Sequence, residues 1–468
     1  MRIRAIPSVM AVLSILGTCA TALAVPQTQP SPAELQQKID SLQQQVGSLN
    51  LEMQQLKNQP SAAPSNAAVQ NQSSSQAPLP DELVAQSQLA APTTQPSAAE
   101  PEPRADALAV DVTFDTHKGL WFSSENGDFA IHPCTLLQFR NTTNLRQHAP
   151  NDQYDAQNGF EIRRMQLGAE GNAFTPDLTF RVFIQTERSG GDAELFDAWL
   201  KYHFHDSPFF IEGGQFKSPF AHEQMIFDRT MMAADRTLTD DILADGEAFS
   251  QGVMGIFQTD DVRAKLQFTN GYGTNDVNFE DPTSRPGFFG VGTRDELKLM
   301  GNWSDYDQFT SLGDSSNLLV GGIGFDETQV NPGNILHGTA DAQWNNGPLG
   351  LYASYIGRYT SQNGAAGDTY DYGPMVQASY LLDPHHLEVF GRYDYLKFDG
   401  KEFAAGTNTN VDELTAGINY YFYGQNLKLT TDASYLPNGS PVDDNGSGVL
   451  VSSGGSEWVF RVQMQFAL

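Results

Sequence analysis

The chain has 468 residues, with 27 lysines and arginines against 56 aspartates and glutamates, a formal net charge of −29. This acidic balance argues against nucleic acid or an anionic membrane surface as a partner, because their phosphates would be repelled. The chain has only two cysteines, which is too few for a disulfide framework.

The N-terminus has the layout of a cleavable secretory signal, residues 1–24. Arg2 and Arg4 precede an apolar run, and small residues lead to Ala24. Lipid attachment at Cys19 is an alternative, but the residue before it fits that motif poorly. Cleavage after Ala24 leaves 25 basic against 56 acidic residues and Cys134 as the single cysteine, so the mature chain cannot close an internal disulfide. No later run of about 18 apolar residues follows, so we expect any membrane crossing to use β-strands.

A short coiled-coil helix is predicted over residues 31–59. Its apolar residues alternate in steps of four and three, as heptad positions a and d do: Leu35, Ile39, Leu42, Val46, Leu49, Met53 and Leu56. A single amphipathic helix packed on the rest of the protein is the alternative. Residues 60–111, rich in Pro, Ser, Ala and Gln, are too polar for a packed core and predict a flexible linker, which would hold the coiled coil in the periplasm.

From residue 112 to residue 468 the sequence changes to aromatic residues, glycines and short alternating runs. We expect about sixteen strands of roughly ten residues each, beginning near residues 134, 159, 178, 193, 208, 250, 262, 294, 316, 335, 348, 370, 385, 412, 426 and 456. Ten residues tilted by about 45° span a bilayer. The predicted fold is therefore all-β, a 16-stranded antiparallel transmembrane β-barrel.

The last strand shows the alternation that a lipid-facing barrel requires. One face is apolar, with Trp458, Phe460, Val462, Met464, Phe466 and Leu468, and the other carries Glu457, Arg461, Gln463 and Gln465. A soluble β-sandwich also alternates, but the signal, the number of strands and the aromatic end of the last strand favour a barrel.

Three segments resemble the phosphate-selective porin O and P family in order and spacing: FEIRRMQLGAEG at 160–171, LFDAWLKY at 195–202 and GQFKSPFAHE at 214–223. The resemblance implies a trimeric sixteen-stranded barrel in which a long loop, here residues 219–249, folds inward and narrows the pore. It also implies a ladder of basic residues for anions, and the matching positions are Arg163, Arg164 and Lys217.

Strand parity sorts the charged residues by face. Parity places Arg164 toward the lumen and Arg163 away from it, unless a bulge intervenes. The basic residues predicted to face the lumen are Arg140, Arg164, Arg181, Lys201, Arg263, Lys265, Lys298, Arg358, Arg392, Lys428 and Arg461. The acidic ones are Glu170, Asp197, Asp341, Glu388, Asp394, Asp432 and Glu457.

The loop itself carries charges of both signs. Arg229 and Arg236 would attract phosphate, whereas Asp240, Asp241, Asp245 and Glu247 would repel it. The ion preference therefore stays open at this point.

The predicted function is an outer-membrane porin for passive diffusion of small solutes, with small inorganic anions such as phosphate as the expected cargo. The expected pore-lining set is Arg140, Arg163, Arg164, Arg181, Lys201, Lys217, Arg229, Arg236, Arg263 and Lys265. Arg164, Arg181, Lys201 and Lys217 are expected to converge with the loop. The expected partners are outer-membrane lipid and two further copies of the chain. The alternatives are a weakly selective or cation-leaning porin, or a structural barrel that anchors the envelope through its coiled coil.

We expect no enzyme, cofactor or metal site. The sequence has no GxSxG nucleophile motif. His203 and His205 share a face with Lys201, but no acidic residue at a fixed spacing supports metal binding there.

Overall fold

The computed structural model describes residues 110–468, except for short gaps at 116–118, 151–152, 187, 189–190, 276–286, 314–316, 331–332, 362–366, 402, 405, 445 and 453. The predicted signal and coiled coil, and the predicted linker up to residue 109, lie outside the described residues. Within the described part, no helix has the length and hydropathy needed to span a membrane.

A closed antiparallel barrel of sixteen strands forms the body of the protein, as the sequence predicts. Each strand pairs with its neighbour in the chain, and the last strand pairs with the first. The barrel strands are β3 (Ala130–Arg146), β4 (Ala156–Asn172), β5 (Leu178–Thr186), β6 (Ala193–His203), β7 (Phe209–Lys217), β8 (Phe249–Gln258), β9 (Val262–Thr269), β10 (Gly287–Met300), β11 (Leu318–Val330), β12 (Gly333–Asn346), β13 (Leu349–Ser361), β14 (Thr369–Asp383), β15 (Leu387–Lys397), β16 (Asn410–Tyr423), β17 (Leu427–Leu436) and β18 (Glu457–Ala467).

A hairpin that the sequence analysis did not resolve precedes the barrel. It consists of β1 (Val110–Asp115) and β2 (Gly119–Ser124). Its second strand adds to the beginning of β3, where Phe122 pairs with Ile131 and Ser123 with Ala130. The hairpin therefore extends the sheet at the end of the barrel where β3 starts and β18 finishes.

Three short α-helices lie in the described parts of the connections. Two of them, α1 (His222–Met225) and α2 (Leu238–Leu243), belong to the connection between β7 and β8, with a 3-10 turn at Asp228–Thr230 between them. The third, α3 (Trp303–Tyr306), lies between β10 and β11. Thr237 caps α2 by accepting a hydrogen bond from the Asp240 amide at 3.1 Å.

Most connections at one end of the barrel are shorter than those at the other, residues 301–317 being a long connection at the shorter end. Residues 173–177, 204–208 and 259–261 make tight links at the end where β18 finishes, which we call the short-turn end. Long connections, among them residues 218–248 and 437–456, leave from the opposite end. Outer-membrane barrels place short turns in the periplasm and long loops outside, so this asymmetry orients the chain in the membrane.

Alternating exposure along the strands separates a lipid face from a lumen face. In β18, Trp458, Phe460 and Val462 are exposed, while the alternate residues Glu457, Val459 and Arg461 are fully buried. An apolar outer surface is stable only against hydrocarbon, and polar groups turned inward find partners there. The parity assigned from the sequence is therefore correct for this strand.

Replacing Val462 by Arg is expected to block assembly or to destabilise the barrel by about 2–4 kcal/mol, because the charge would sit in hydrocarbon. Val462 is 46% exposed on the outer face and pairs with Asn141 of β3. Urea unfolding in lipid vesicles measures the difference, with Val462→Leu as the matched control. Equal unfolding midpoints for the two variants would contradict the assignment of this face to lipid.

Candidate functional site

The connection between β7 and β8, residues 218–248, crosses the barrel interior, and we call it the inward loop. Most of its residues are buried. Its bonds reach well-separated strands: Arg294 donates to the Phe220 carbonyl (2.6 Å), Gln343 bonds His222 (2.8 Å), Asp394 accepts from the Thr239 amide (2.9 Å), Asn419 donates to the Met232 carbonyl (2.9 Å) and Lys428 donates to the Met231 carbonyl (2.6 Å). The loop thus fills part of the lumen, as the resemblance implies.

The apolar side chains of the inward loop also pack on the barrel wall. Phe220, Leu238 and Leu243 lie in one buried cluster with Ile356 of β13 and Leu396 of β15. Burial of such side chains contributes roughly 1.5–3 kcal/mol each. The loop is therefore held by a hydrophobic contact as well as by hydrogen bonds.

The tip of the inward loop is fixed by one carboxylate, that of Asp235, which three arginines surround. Arg140 of β3 bonds it directly, Arg163 of β4 lies 3.0 Å from Oδ1, and Arg164 lies 3.3 Å from the same oxygen. The Asp235 side chain is fully buried. A buried charge is tolerated only when it is paired and hydrogen-bonded. The three arginines and Asp235 therefore each neutralise a charge that would otherwise be buried without a partner.

A β-bulge explains why both arginines of the RRMQLG segment reach Asp235. Gln138 of β3 pairs with Arg164, while the next residue, Phe139, pairs with Ile162, so Arg163 is an extra residue in β4. A bulge of this kind turns two consecutive side chains toward one face. Parity alone had placed Arg163 outside the lumen, and the bulge corrects that expectation.

A second group of ion pairs lies inside the loop, around Arg236. This guanidinium is 2.9 Å from Asp228 and 2.8 Å from Glu247, and its Nε is 3.6 Å from Asp240. Arg164 also approaches Asp228 at 3.4 Å. Arg236 is fully buried among these acids, which differs from the expectation that it faces a passing anion, because its charge is used to hold the loop together.

Proton binding is unfavourable at the loop tip. Burial alone would raise the pKa of Asp235, but the guanidinium groups of Arg140, Arg163 and Arg164 hold that pKa well below its usual range. A depressed pKa contributes stability that is present above the ordinary aspartate pKa and is lost only as pH falls through the lower, folded-state value. The loop tip therefore stays anchored in mildly acidic solution.

A basic cavity of about 310 Å³ lies beside the inward loop, against strands β5 to β9. Phe227 and Met225 of the loop form one side of it. Five basic residues line it, together with Asp197 and Glu212: Arg181, Lys201, Lys217, Arg263 and Lys265.

The five cations differ in how fully they are paired. Arg181 is bracketed by Asp197 at 2.8 Å and Glu170 at 2.9 Å. Arg263 bonds Glu296 directly, and Lys201 is 3.9 Å from Glu212.

The other two lysines have no carboxylate within 4.0 Å among the described residues. Lys217 donates to the Gln224 and Ile226 carbonyls at 3.3 and 3.2 Å. Lys265 lines the cavity, and no described residue forms an ion pair with it within 4.0 Å. Positive charge in the cavity is therefore carried mainly by Lys217 and Lys265, with a smaller share from Lys201.

The structure divides the four residues that were expected to converge into two places. Arg181, Lys201 and Lys217 line the basic cavity, whereas Arg164 lies with the acids of the inward loop. Arg229 lines a separate small cavity together with Arg181 and Lys217.

Arg294 is a buried basic residue that the sequence analysis missed. It bonds Asp341 twice at 2.9 Å and Glu296 at 2.7 Å, and it also holds the inward loop through Phe220. The predicted strand began at residue 294, but β10 begins at Gly287. Extending the alternation upstream from Lys298 would have placed Arg294 on the lumen face.

The closed sixteen-stranded barrel, the inward loop and the charged lumen define an outer-membrane porin. The sequence model of the phosphate-selective porin O and P family matches residues 137–467, and the chain belongs to that family. No curated protein matches the chain in sequence.

Solved porin structures share the fold at low identity. The chain is similar to an anion-selective porin from Comamonas acidovorans, at 12% identity and a TM-score of 0.53, with 73% of this chain and 100% of that chain covered. It is also similar to OmpF of Salmonella typhi in complex with daunomycin, at 15% identity and a TM-score of 0.52, with 73% of this chain and 99% of that chain covered. OprB of Pseudomonas putida is similar at 10% identity and a TM-score of 0.51, with 72% of this chain and 94% of that chain covered. At these identities the likeness establishes the fold alone.

Replacing Asp235 by Asn is expected to loosen the inward loop, because three buried guanidinium groups lose their common counter-charge. Breaking buried pairs costs about 3–5 kcal/mol, and the amide recovers only part of that through hydrogen bonds. We expect larger fluctuations of single-channel current and faster tryptic cleavage within residues 218–248. The control is Glu125→Gln, an exposed carboxylate in the β2–β3 turn. Unchanged current and cleavage in Asp235→Asn would show that the loop is held by its apolar contacts instead.

Proposed function

We propose that this porin carries small inorganic anions, phosphate among them, by passive diffusion past the basic cavity. The observation that carries the proposal is the group of five cations on the β5–β9 wall, of which Lys217 and Lys265 have no carboxylate within 4.0 Å among the described residues. Lysine ammonium groups act as point charges that bind oxyanions without a fixed geometry.

The packing of the inward loop supports this route. On the β3 and β4 side, Asp235 joins the loop to the wall, and on the β15 to β17 side, Asp394, Asn419 and Lys428 bond it. The cavity lies on the remaining side, between Phe227 of the loop and strands β5 to β9. A solute that passes the loop on this side meets the lysines at the narrow point, where charge is least screened.

A weakly selective or cation-leaning pore is the second candidate, and the carboxylates favour it. Asp197 and Glu212 line the same cavity, and Arg181 is paired on both sides. Arg140, Arg163 and Arg164, which the family resemblance or strand parity would place in the basic ladder, are neutralised by the inward loop. Anion preference in this chain would therefore depend on lysines more than on arginines.

We also propose that the chain assembles as a homotrimer with outer-membrane lipid around it, and that residues 31–59 form the coiled coil in the periplasm. Membership of the family supports the trimer. Native mass spectrometry from detergent measures the number of chains. A structural barrel that only seats the coiled coil would show no steady conductance in a planar bilayer, which separates this alternative from a porin.

Replacing Lys265 by Gln, or Lys217 by Gln, is expected to lower the anion-to-cation permeability ratio several-fold. A charge about 8 Å from a passing ion contributes about 2 kcal/mol at an effective dielectric constant of about 20, or about 30-fold, and screening by the salt in the bath reduces this to several-fold. Glutamine keeps a hydrogen-bond donor for the carbonyls that Lys217 holds. The readout is the reversal potential of a planar bilayer in a salt gradient.

The matched control is Lys401→Gln. The Lys401 side chain is 49% exposed in an outer connection, where salt screens its charge within about 8–10 Å. Equal effects of the cavity and control substitutions would count against the cavity as the selectivity site. A wild-type pore that prefers cations would reject the anion function and leave the second candidate.

A further inference from the structure

Three side chains with different metal-binding atoms meet at the short-turn end of the lumen, beside Arg181. They are His132 and Cys134 of β3 and Glu170 of β4. The His132 Nδ1 lies 3.3 Å from the Cys134 Sγ and 3.5 Å from the Glu170 Oε1, and all three donor atoms are within 4.8 Å of one another. Metal binding at the pair considered from the sequence, His203 and His205, is a separate question.

The strand register brings these residues together. His132 and Glu170 are directly paired across β3 and β4, and residues paired in this way have side chains on the same face about 4.5–5.5 Å apart at Cβ. Cys134 follows two residues later on that face. Its own partner across the strands is Gly168, and the thiol borders the buried cluster of Phe183, Phe196 and Phe249 on its other side.

The distances match the edges of a tetrahedral metal site. With Zn–N near 2.0–2.1 Å, Zn–O near 2.0–2.2 Å and Zn–S near 2.3 Å, neighbouring ligand atoms lie about 3.4–3.6 Å apart. Two of the three separations, 3.3 Å and 3.5 Å, already fall close to this range. The third separation, from the thiol to the carboxylate, is no more than 4.8 Å.

Surrounding groups hold the ligands in position. Arg181 donates to the second oxygen of Glu170 at 2.9 Å, which leaves Oε1 directed at His132. Trp121 of the hairpin stacks on the His132 ring, with centroids 4.7 Å apart and planes 13° apart. His132 is only 5% exposed. Outer partners of this kind are typical of metal sites, where they fix the orientation of each ligand.

We propose that His132, Cys134 and Glu170 form a binding site for a divalent, borderline-soft cation, with zinc as the best fit. Imidazole and thiolate suit zinc, and three protein ligands leave a fourth position for water. On binding, the Cys134 thiol loses its proton to solvent and its sulfur bonds the metal. A cavity of about 310 Å³ lined by His132, Glu170 and Arg229 provides the space beside the site.

The charges around the site determine how tightly it binds a metal ion and how binding changes the charge of the lumen. The cation cancels the charges of one thiolate and one carboxylate, so the occupied site is neutral where the empty one carries the Glu170 charge. Arg181 and Arg229 face the same region and oppose a dication, so we expect weaker binding than at an enclosed four-ligand structural site. Occupancy makes the short-turn mouth of the lumen more positive.

Cobalt(II) tests the proposal directly, because a thiolate bound to cobalt gives a charge-transfer absorption that carboxylates and imidazoles cannot produce. The reduced full-length protein in detergent is titrated with cobalt, and we expect this absorption to saturate at one equivalent per chain. A second measurement is the rate of Cys134 alkylation by iodoacetamide, which zinc is expected to slow. Absence of the absorption together with unchanged alkylation would overturn the proposal without any variant.

Two variants and one control assign the ligands. Cys134→Ser is expected to abolish the charge-transfer absorption, and Glu170→Gln to weaken cobalt binding by about 10-fold or more. The control is His205→Ala, an exposed histidine at the same end whose Nδ1 lies 3.1 Å from Asp177, and it should bind as the wild type does. Absorption that persists in Cys134→Ser, or unchanged affinity in Glu170→Gln, rejects the three-ligand site. Heat-modifiable migration on gels verifies that each variant is folded.

Discussion

The pairing of Asp235 with Arg140, Arg163 and Arg164 is the constraint on which the arrangement of the lumen depends. Charges withdrawn from water are costly unless each meets an opposite charge. Three guanidinium groups on adjacent strands would repel one another without the loop, and the Asp235 carboxylate would have no place in the interior without them. Wall and loop therefore compensate each other, and their contact determines which side of the lumen is filled and which side stays open.

That contact also decides which basic residues can meet a solute. The sequence shows how many arginines face the lumen but not which of them are paired with a carboxylate. A solute is attracted only by charge that a neighbouring group has not neutralised. The arginines of β3 and β4 are neutralised by the inward loop, and Arg181 by Glu170 and Asp197. Lys217 and Lys265 line the basic cavity and have no carboxylate within 4.0 Å among the described residues. Under the proposed function, a passing anion would therefore meet these lysines and not the arginines of the RRMQLG segment.

The sequence was sufficient for features that repeat and insufficient for features that occur once. Alternation has a period of two over sixteen strands, so the strands and their faces could be predicted from it. The inward connection was expected from the family resemblance, and the strand pattern contributed only a gap at that place. The bulge at Arg163 adds a single residue and leaves no periodic signal, and the predicted start of β10 at Arg294 was late by seven residues. The ion pairs of Asp235 join residues about 70 to 95 positions apart, and nothing local in the sequence indicates such a pairing.

The first two barrel strands, β3 and β4, carry the arginines that bind Asp235 and also the cluster of His132, Cys134 and Glu170. Both sets face the lumen because the pairing of the two strands is fixed along their length. The bulge between Gln138 and Phe139 changes the parity of β4 halfway along, so Arg163 and Arg164 point inward in the middle of the lumen while Glu170 still points inward beside His132 at the short-turn end. A register slip by one residue would turn every one of these side chains toward lipid. The cost of exposing several charges to hydrocarbon is much larger than any single contact in the lumen. The requirement for an apolar surface toward lipid therefore fixes which side chains face the lumen. It also holds Cys134 of β3 beside His132 and Glu170.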